Sequence, residues 1–171
     1  MAIQRLNHAV LYVLDVARSV AFYTDVLGFR TQVDLGKAAF LQAAGSTNDH
    51  DLGLFELGPG AGPSQAGRST VGLYHLAWEV DTLAELQRIV GALSGAGALV
   101  GATDHTTTKA LYAKDPDGID FEVCWLVPAD LLDTVDAEVG SKLRPLDLAG
   151  EIERFGPETR GGVGISVPLP A

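Results

Sequence analysis

Short apolar runs alternate with amphipathic stretches along the chain, and the same order of predicted elements occurs twice. The first run, NHAVLYVLDV, is rich in Val, Leu and Tyr and predicts a buried strand. Asp15 then precedes apolar residues at helical spacing, which predicts a capped helix that ends near Gly28. Three short strand candidates follow, FRTQVDLG, AAFLQAAG and DLGLFELG, before the loop GPGAGPSQAGRST.

The second half of the chain repeats this order. LYHLAWEV predicts a strand, Asp81 or Thr82 caps a helix through LAELQRIVGALSGAG, and three strand candidates follow, GALVGATDH, KALYAKD and IDFEVCWLV. His8 and His75 are 67 positions apart, and Glu56 and Glu122 are 66 positions apart. This shared offset predicts two copies of a βαβββ module. Because each module needs a second apolar face, we expect an α+β fold in which the two modules pair into one domain.

The predicted boundaries follow from these patterns. Residues 1–127 form the paired-module domain, with module one at about 3–58 and module two at about 71–127. Residues 128–171 form a C-terminal segment, with a short helix in ADLLDTVDAEVG and a Gly/Pro-rich tail.

Composition and charge narrow the classes of function. The 171 residues are 47% hydrophobic and carry a net charge of −10, which disfavours binding to nucleic acid or anionic lipid. No apolar stretch approaches the ~18 residues of a membrane span, and MAIQRLNHAV lacks the features of a signal peptide. The single cysteine, Cys124, excludes an internal disulfide, so we expect a cytoplasmic protein.

Two histidines and one glutamate are candidate metal ligands. A lone histidine in a strand is more often structural than a ligand, but His8 and His75 occupy the same place in each module. Glu122 lies between Phe121 and Val123, and a buried carboxylate needs a partner or a metal. Pairing of the modules would bring together a set of two histidines and one carboxylate, which suits Fe(II) or a related divalent ion.

The turn DPDG places a tyrosine near the same glutamate. If Asp115 and Gly118 flank the turn, Tyr112 lies opposite Phe121, one position from Glu122. The phenol is then a candidate hydrogen-bond donor to a ligand oxygen, or a half-buried strand tyrosine. Cys124 is more consistent with a small buried hydrophobic residue than with a site residue.

At this point the chain resembles the vicinal oxygen chelate superfamily over residues 3–127, and most of all the type I extradiol ring-cleavage dioxygenases. The resemblance is carried by His105, TTTKA, Leu111–Tyr112, AK, DPDG, IDF and Glu122, with Thr103 two positions before the histidine. This chain has one module pair, whereas typical extradiol enzymes have an additional pair. Its interval from His50 to His75 is also longer than usual.

The resemblance implies that the paired modules form one barrel-like domain around a metal site. It also implies specific roles for the candidate residues. His8, His75 and Glu122 resemble the Fe(II) ligands, with Mn(II) as an alternative metal. The segment HDLGL at His50 resembles the one that carries the acid–base histidine, and His105 and Tyr112 resemble groups that position substrate and oxygen. The implied reaction is cleavage of a catechol-like aromatic diol by O2, in an enzyme that is expected to be a homodimer.

Three alternatives belong to other functional classes. A glyoxalase-like isomerase or lyase would use Glu56 as a fourth ligand with His8, His75 and Glu122, often with Zn or Ni. A fosfomycin-type resistance transferase would need a basic pocket, which this acidic chain does not favour. A non-enzymatic small-molecule binder would require neither a metal nor an acid–base histidine.

Overall fold

The computed structural model describes residues 3, 5–66, 69–135 and 143–162. The strands are β1 Ala9–Val13, β2 Arg30–Asp34, β3 Ala38–Gln42, β4 Leu52–Glu56, β5 Leu76–Glu79, β6 Leu99–Asp104, β7 Thr108–Lys114, β8 Asp120–Leu126 and β9 Arg144–Pro145. The helices are α1 Val16–Asp25, α2 Leu83–Gly95 and α3 Leu148–Phe155, with a 3-10 helix at Ala129–Thr134. The chain divides into two compact units, Met1–Gln65 with Asp115–Ile119, and Ala66–Lys114 with Asp120–Ala171.

Unit 1 is a four-stranded sheet with one helix. The strand order is β1-β4-β3-β2, and β1 and β4 are parallel. The Asp15 side chain accepts a hydrogen bond from the Arg18 amide and caps α1, as the sequence predicts. Leu11 and Leu54 are buried on the face of the sheet that α1 covers, whereas the neighbouring Val10 and Phe55 are exposed.

Unit 1 also includes the turn between β7 and β8. The Asp115 side chain accepts hydrogen bonds from the backbone amides of Asp117 and Ile119, at 2.9 and 2.8 Å, and closes this turn. The Asp117 carboxylate contacts the Arg18 guanidinium and accepts a hydrogen bond from the Leu14 amide at 3.0 Å. Both aspartates of DPDG therefore have structural partners.

Unit 2 is a five-stranded sheet in the order β5-β8-β7-β6-β9, and β5 and β8 are parallel. Thr82, rather than Asp81, caps α2, by accepting a hydrogen bond from the Glu85 amide. Leu86 and Leu93 of α2 and Leu111 of β7 are fully buried. The order of the elements in the two units confirms the predicted repeat of a βαβββ module.

The C-terminal segment adds a strand and a helix to unit 2. β9 pairs with the end of β6, and α3 lies beside α2. Beyond α3, the Thr159 carbonyl accepts a hydrogen bond from Trp125 Nε1 at 3.1 Å, and Gly161 donates to the Asp81 carbonyl at 2.8 Å. Neither β9 nor α3 was identified from the sequence. A two-residue strand leaves no periodicity, whereas α3 does carry a helical pattern, with Leu148, Ile152 and Phe155 after the capping Asp147.

The expected fold class is confirmed, and the predicted C-terminal helix requires correction. The fold is α+β with two βαβββ modules, and the described strands form two sheets that are not closed into a barrel. The predicted helix after Pro128 is a six-residue 3-10 helix at Ala129–Thr134, and the remainder of ADLLDTVDAEVG, from 136 on, lies outside the described residues. Among the helices that the structure describes, none is long and apolar enough to cross a membrane.

Candidate active site

In unit 2 the predicted ligands His75 and Glu122 are neighbours. His75 immediately precedes β5, and its Nε2 lies 3.2 Å from Glu122 Oε2. Glu122 lies in β8 and is only 9% exposed. His75 Nδ1 is buried, and no hydrogen-bond partner for it exists in the described part of the chain. The two donor atoms that suit a divalent metal therefore face each other in a half-buried place.

Tyr112 lies directly opposite Glu122. The register pairs Tyr112 with Glu122 and Ala113 with Phe121, so the predicted pairing of Tyr112 with Phe121 was wrong by one residue. The turn is longer than predicted, because the Asp115 amide donates to the Ile119 carbonyl at 3.0 Å. Directly opposite residues share one face of an antiparallel pair, so the phenol and the carboxylate face the same side.

The environment of Tyr112 keeps its hydroxyl protonated. Burial raises the pKa of Tyr112 above its usual value, and the nearby Glu122 carboxylate raises it further. The hydroxyl lies 2.8 Å from His105 Nε2. Tyr112 therefore stands between a candidate ligand and a second histidine as a neutral hydrogen-bonding group.

His105 lies in the tight turn that joins β6 and β7. The His105 amide donates to the Thr108 carbonyl at 2.9 Å, which closes a hairpin with Thr106 and Thr107 at its tip. The sequence placed His105 at the end of the preceding strand, and the structure places it one residue after β6. The hairpin thus carries the imidazole to the Tyr112 hydroxyl.

In unit 1 the other two histidines form a stacked pair. The ring centroids of His8 and His50 are 4.6 Å apart. His8 immediately precedes β1, although the sequence placed it within the first strand, and His50 lies two residues before β4. His8 Nδ1 lies 2.8 Å from Asn7 Oδ1, a contact that does not involve its Nε2.

Asp49 is the partner of His50. Its Oδ2 lies 3.1 Å from His50 Nδ1, and hydrogen bonds from the His50 backbone and side chain lower the pKa of this carboxyl group. The contact holds Nδ1 and directs Nε2 away from Asp49. Asp51 organises the same loop, since it accepts hydrogen bonds from Ser46 Oγ and Asn48 Nδ2 at 2.8 and 2.7 Å.

An aromatic wall lies beside this pair. The ring of Phe40 meets the His50 ring edge-on at 5.0 Å, and the Phe55 ring at 5.9 Å. Val10 and Tyr12 of β1 are 51% and 69% exposed on the same face of the sheet. This apolar face could hold a flat aromatic ring next to His50.

The registers show that Glu56 is not the structural counterpart of Glu122, although their offset of 66 suggested so. In unit 2, the residue two positions after His75, Ala77, pairs with Glu122. In unit 1, the residue two positions after His8, Val10, pairs with Gly53. Module one therefore has a glycine where module two has its carboxylate.

Glu56 has a structural role instead. It pairs with Val13, which is buried on the helix-covered face of the sheet. Its Oε2 accepts a hydrogen bond from the Val16 amide at 3.4 Å, at the first residue of α1, and its Oε1 lies 3.8 Å from Lys37 Nζ. This places Glu56 on the opposite face of the unit 1 sheet from Phe40 and Val10.

Cys124 shares the face of Glu122 and is buried. It is 7% exposed, and burial together with the Glu122 and Glu79 carboxylates raises the pKa of its thiol to about 12. The thiol is therefore neutral at pH 7 and serves as a small buried side chain, as the sequence favoured.

The donor set of unit 2 fits part of a divalent-metal site. Two donors about 2.0–2.2 Å from one ion lie about 3 Å apart when they meet it at a right angle, close to the 3.2 Å between His75 Nε2 and Glu122 Oε2. Within either unit, as far as the structure describes it, no three His, Cys, Asp or Glu side chains form a metal-binding cluster. Unit 2 supplies two of the three predicted ligands, and His8 belongs to unit 1.

Residues 5–123 match the family described as Glyoxalase/Bleomycin resistance protein/Dioxygenase superfamily. The chain belongs to this superfamily. The resemblance to vicinal oxygen chelate proteins is thereby confirmed.

A structure of a glyoxylase/bleomycin resistance protein/dioxygenase domain from Frankia sp. EAN1pec covers 78% of this chain and 99% of its own, at 21% identity and a TM-score of 0.62. A lactoylglutathione lyase structure from Agrobacterium tumefaciens covers 72% of this chain and 95% of its own, at 21% identity and a TM-score of 0.53. Both likenesses show the fold alone.

Two sequence relatives are dioxygenases by name. A catechol-2,3-dioxygenase of Bacillus subtilis is 33% identical over 118 residues, which are 69% of this chain and 40% of that protein. A biphenyl-2,3-diol 1,2-dioxygenase 3 of Rhodococcus globerulus is 28% identical over 165 residues, 91% of this chain and 85% of that protein. The chain thus spans less than half the length of the first relative and most of the second.

Sequence reasoning missed three groups of this superfamily member's candidate site. Asp49 directly precedes His50 in NDHD, so its adjacency was visible in the sequence. The sequence did not show that Phe40 contacts His50 or that Gly53 takes the place of Glu122 in module one. Both relations depend on strand register. Register is set by turn geometry and by long-range pairing, which single-sequence patterns do not determine.

Proposed function

We propose that this superfamily member is a non-haem Fe(II)-dependent extradiol dioxygenase that cleaves a catechol-like aromatic diol with O2. The observation that carries the proposal is the row of groups on one face of unit 2. His75 Nε2 lies 3.2 Å from Glu122, Tyr112 lies directly across from Glu122, and its hydroxyl lies 2.8 Å from His105. The names of the two sequence relatives point to the same diol chemistry.

In this proposal His75, Glu122 and His8 hold the metal, and Mn(II) is the alternative to Fe(II). Two imidazoles with one carboxylate leave open positions for substrate and oxygen. A bound iron would supply adjacent sites for the diol oxygens and O2 and electronic exchange between them. Every other step depends on side chains of the chain itself.

His50 is the proposed acid–base group. Because Asp49 occupies its Nδ1, Nε2 is the atom that would accept a proton from a diol hydroxyl and later return it. Phe40 contacts the His50 ring, Phe55 contacts Phe40, and this aromatic wall would orient the ring of the substrate. The substrate would thus meet a base and an apolar surface on the same side.

Tyr112 and His105 are the proposed stabilisers of negative charge on oxygen. The raised pKa of Tyr112 keeps its hydroxyl protonated at neutral pH, so it can donate a hydrogen bond to developing charge. His105 Nε2 fixes the position of that hydroxyl. A preformed donor of this kind is more effective than water, because it needs no reorganisation during the reaction.

The glyoxalase-like alternative needs a fourth ligand from module one, and two observations disfavour it. Glu56 is directed to the first residue of α1 and to Lys37. The position in module one that corresponds to Glu122 is Gly53. A three-ligand site, as in the dioxygenase proposal, is compatible with both findings.

Oxygen uptake tests the proposal. The purified protein is loaded anaerobically with Fe(II), its metal content is measured, and catechol, biphenyl-2,3-diol and the para-diol hydroquinone are supplied with O2. The expected result is uptake of one O2 per molecule of an ortho-diol, both oxygen atoms in the ring-opened product, and no uptake with hydroquinone, whose oxygens cannot both bind one metal. Folded, iron-loaded protein that consumes no O2 with either ortho-diol would refute the proposal. In that case, isomerisation of a glutathione hemithioacetal would favour the glyoxalase-like reading, and absence of bound metal would favour a small-molecule binder.

We also propose that the protein is located in the cytoplasm and forms a homodimer.

A further inference from the structure

Lys109 is a buried cation that the proposed chemistry does not use. It lies in β7 and is 1% exposed, which is rare for lysine unless it is paired. Its Nζ lies 2.6 Å from Asp104 Oδ1 and 3.0 Å from Glu151 Oε2. In the register of β7 and β8, Lys109 lies opposite Trp125 and Tyr112 lies opposite Glu122. By alternation, the ammonium therefore lies on the helix-covered face, opposite to the candidate site.

Asp104 connects this cation to the hairpin that carries His105. The same Oδ1 that contacts Lys109 accepts a hydrogen bond from the Thr106 amide at 2.7 Å. Thr106 has a φ of 73°, and it is the only non-glycine residue with positive φ in the described ranges. A β-branched residue in this region of backbone conformation is strained. Contacts from outside the turn must therefore maintain the conformation, and the Asp104–Lys109 pair provides them.

The C-terminal segment holds the other side of Lys109. Glu151 is in α3, and Phe155 of the same helix lies against Trp125 with ring centroids 5.4 Å apart. The Lys109 ammonium is 6.0 Å from the centre of the Phe155 ring. β9 also pairs with Thr103 and Asp104 at the start of the hairpin. The end of β6 is thus fixed by a segment outside the repeated modules.

We propose that Lys109 is a positioning residue for His105. In this proposal, Asp104 and Glu151 of the C-terminal helix hold the Lys109 ammonium in place. His105 lies between Asp104 and Thr106, so any relaxation of the strained turn displaces its ring from the Tyr112 hydroxyl, which is 2.8 Å away. Hydrogen bonds weaken steeply with such displacement. The catalytic part of this inference rests on the proposed function, whereas the structural part does not.

A double-mutant cycle tests the catalytic part. Lys109→Met removes the charge and keeps the length of the side chain, and His105→Gln removes the positioned ring. We expect K109M alone to lower kcat about 10- to 100-fold with little change in KM, and to change kcat by less than about twofold when H105Q is already present. Lys114→Met is the matched control, because Lys114 lies on the same strand and pairs with Asp120 at 2.8 Å on the surface. It should leave kcat unchanged.

Histidine-selective 15N NMR tests the structural part without any activity. H105Q identifies the His105 signals in a chain with four histidines. In the unsubstituted protein, His105 should show one hydrogen-bonded tautomer. In K109M the two tautomers should average, whereas the His75 signals should stay in place. If the protein shows this change but cleaves no diol, the positioning survives and the proposed function fails.

Two results would overturn the inference. One is a K109M variant that lowers kcat equally with and without H105Q, which would indicate a general structural role. The other is unchanged kcat and unchanged His105 signals in a folded K109M protein. If K109M does not fold, Asp104→Asn replaces it, because the amide can still accept from Thr106 but loses the ion pair. Unchanged His105 signals and kcat in D104N would then also refute the inference.

Discussion

Tyr112 lies directly across from Glu122 in the β7–β8 register, and its hydroxyl lies 2.8 Å from His105 Nε2. One phenol therefore contacts one histidine while it shares a face with the glutamate that lies 3.2 Å from His75. In unit 1, His50 has its own carboxylate partner and an aromatic neighbour. The groups that would bind a metal thus differ from those that would move protons or donate to oxygen.

Replacement of Tyr112 by Phe should lower kcat and leave stability almost unchanged. Loss of one positioned donor corresponds to about a 10- to 100-fold decrease in kcat, since an unmet hydrogen bond costs about 1–3 kcal/mol. Tyr23→Phe is the opposite comparison, because the Tyr23 hydroxyl donates to Asp115 at 3.3 Å in the interior of unit 1. It should lower Tm and spare kcat. Oxygen uptake and thermal denaturation of both variants measure this contrast, and equal effects on kcat would contradict it.

Replacement of His50 by Gln should separate proton transfer from metal binding. A general acid–base group contributes about 10²- to 10⁴-fold to rate, so kcat should fall by this order while the metal content per chain stays the same. Asp49→Asn should cause a smaller decrease, because the Asp49 side chain is 82% exposed and water can replace part of its effect. Steady-state kinetics with elemental analysis decide. An H50Q protein with full activity would show that another group transfers the proton.

Glu122 and Glu56 should respond differently to loss of charge. We expect Glu122→Gln to weaken metal binding at least about tenfold, since outer-shell changes alone cost 10- to 100-fold. Glu56→Gln should keep the metal but lower Tm, because Glu56 contacts the first amide of α1 and Lys37. Metal titration by calorimetry distinguishes the two variants. Equal loss of affinity in both would support a four-ligand site.

The sequence predicted the repeated modules because these depend on local patterns. Of the three proposed ligands, His8 stays a prediction, and the structure shows His75 and Glu122 to be neighbours. Apolar periodicity defined the strands, Asp15 marked the start of α1, and the offset of 67 related His8 to His75. The strand registers were harder to predict from the sequence. The turn after β7 is one residue longer than DPDG suggests, which moved the partner of Tyr112 from Phe121 to Glu122.

Long-range pairing also accounts for what the sequence could not predict. Equal spacing suggested Glu56 as the counterpart of Glu122, but the strand registers assign Gly53 to that position. The sequence alone does not reveal the burial of Lys109, because its partner Glu151 is 42 positions away in α3 and only the fold brings the two side chains together. Tertiary contacts thus decide which charged residues belong to the site and which to the scaffold.

Asp104 should make stability depend on pH. Burial raises its pKa, but the hydrogen bonds from Lys109 and Thr106 and the charges of Lys109 and Arg144 lower it by more, so the net shift is downward. Because the pKa of Asp104 is lower in the folded state than in the unfolded state, where it is about 3.9, its charge stabilises the fold at any pH above that value. This stabilisation is lost as the pH falls through the pKa of the folded state. Asp104→Asn should therefore lower the free energy of unfolding at pH 7 by about 1–3 kcal/mol, and the difference from the unsubstituted protein should shrink below about pH 4.

Urea titrations between pH 7 and pH 3 measure this dependence. Asp120→Asn is the control, because the Asp120–Lys114 pair is exposed and should contribute less than about 1 kcal/mol at any pH. A difference between D104N and the unsubstituted protein that stays constant down to pH 3 would mean that the Asp104 charge is not its source.

Gly161 should tolerate no side chain. A Cβ there would collide with the Leu126 carbonyl oxygen and lie 2.5 Å from Trp125 Nε1. The Gly161 amide is bound to the Asp81 carbonyl at 2.8 Å, so the backbone cannot move away without loss of that bond. Gly161→Ala should therefore destabilise unit 2 by about 1–3 kcal/mol. Gly91→Ala is the matched control, because nothing lies within 4 Å of a Cβ at that exposed position in α2. It should stabilise by about 0.5–1 kcal/mol, and thermal and urea denaturation of both variants should show shifts of opposite sign. Equal, small shifts would mean that the segment after α3 does not hold its place against Trp125 in solution.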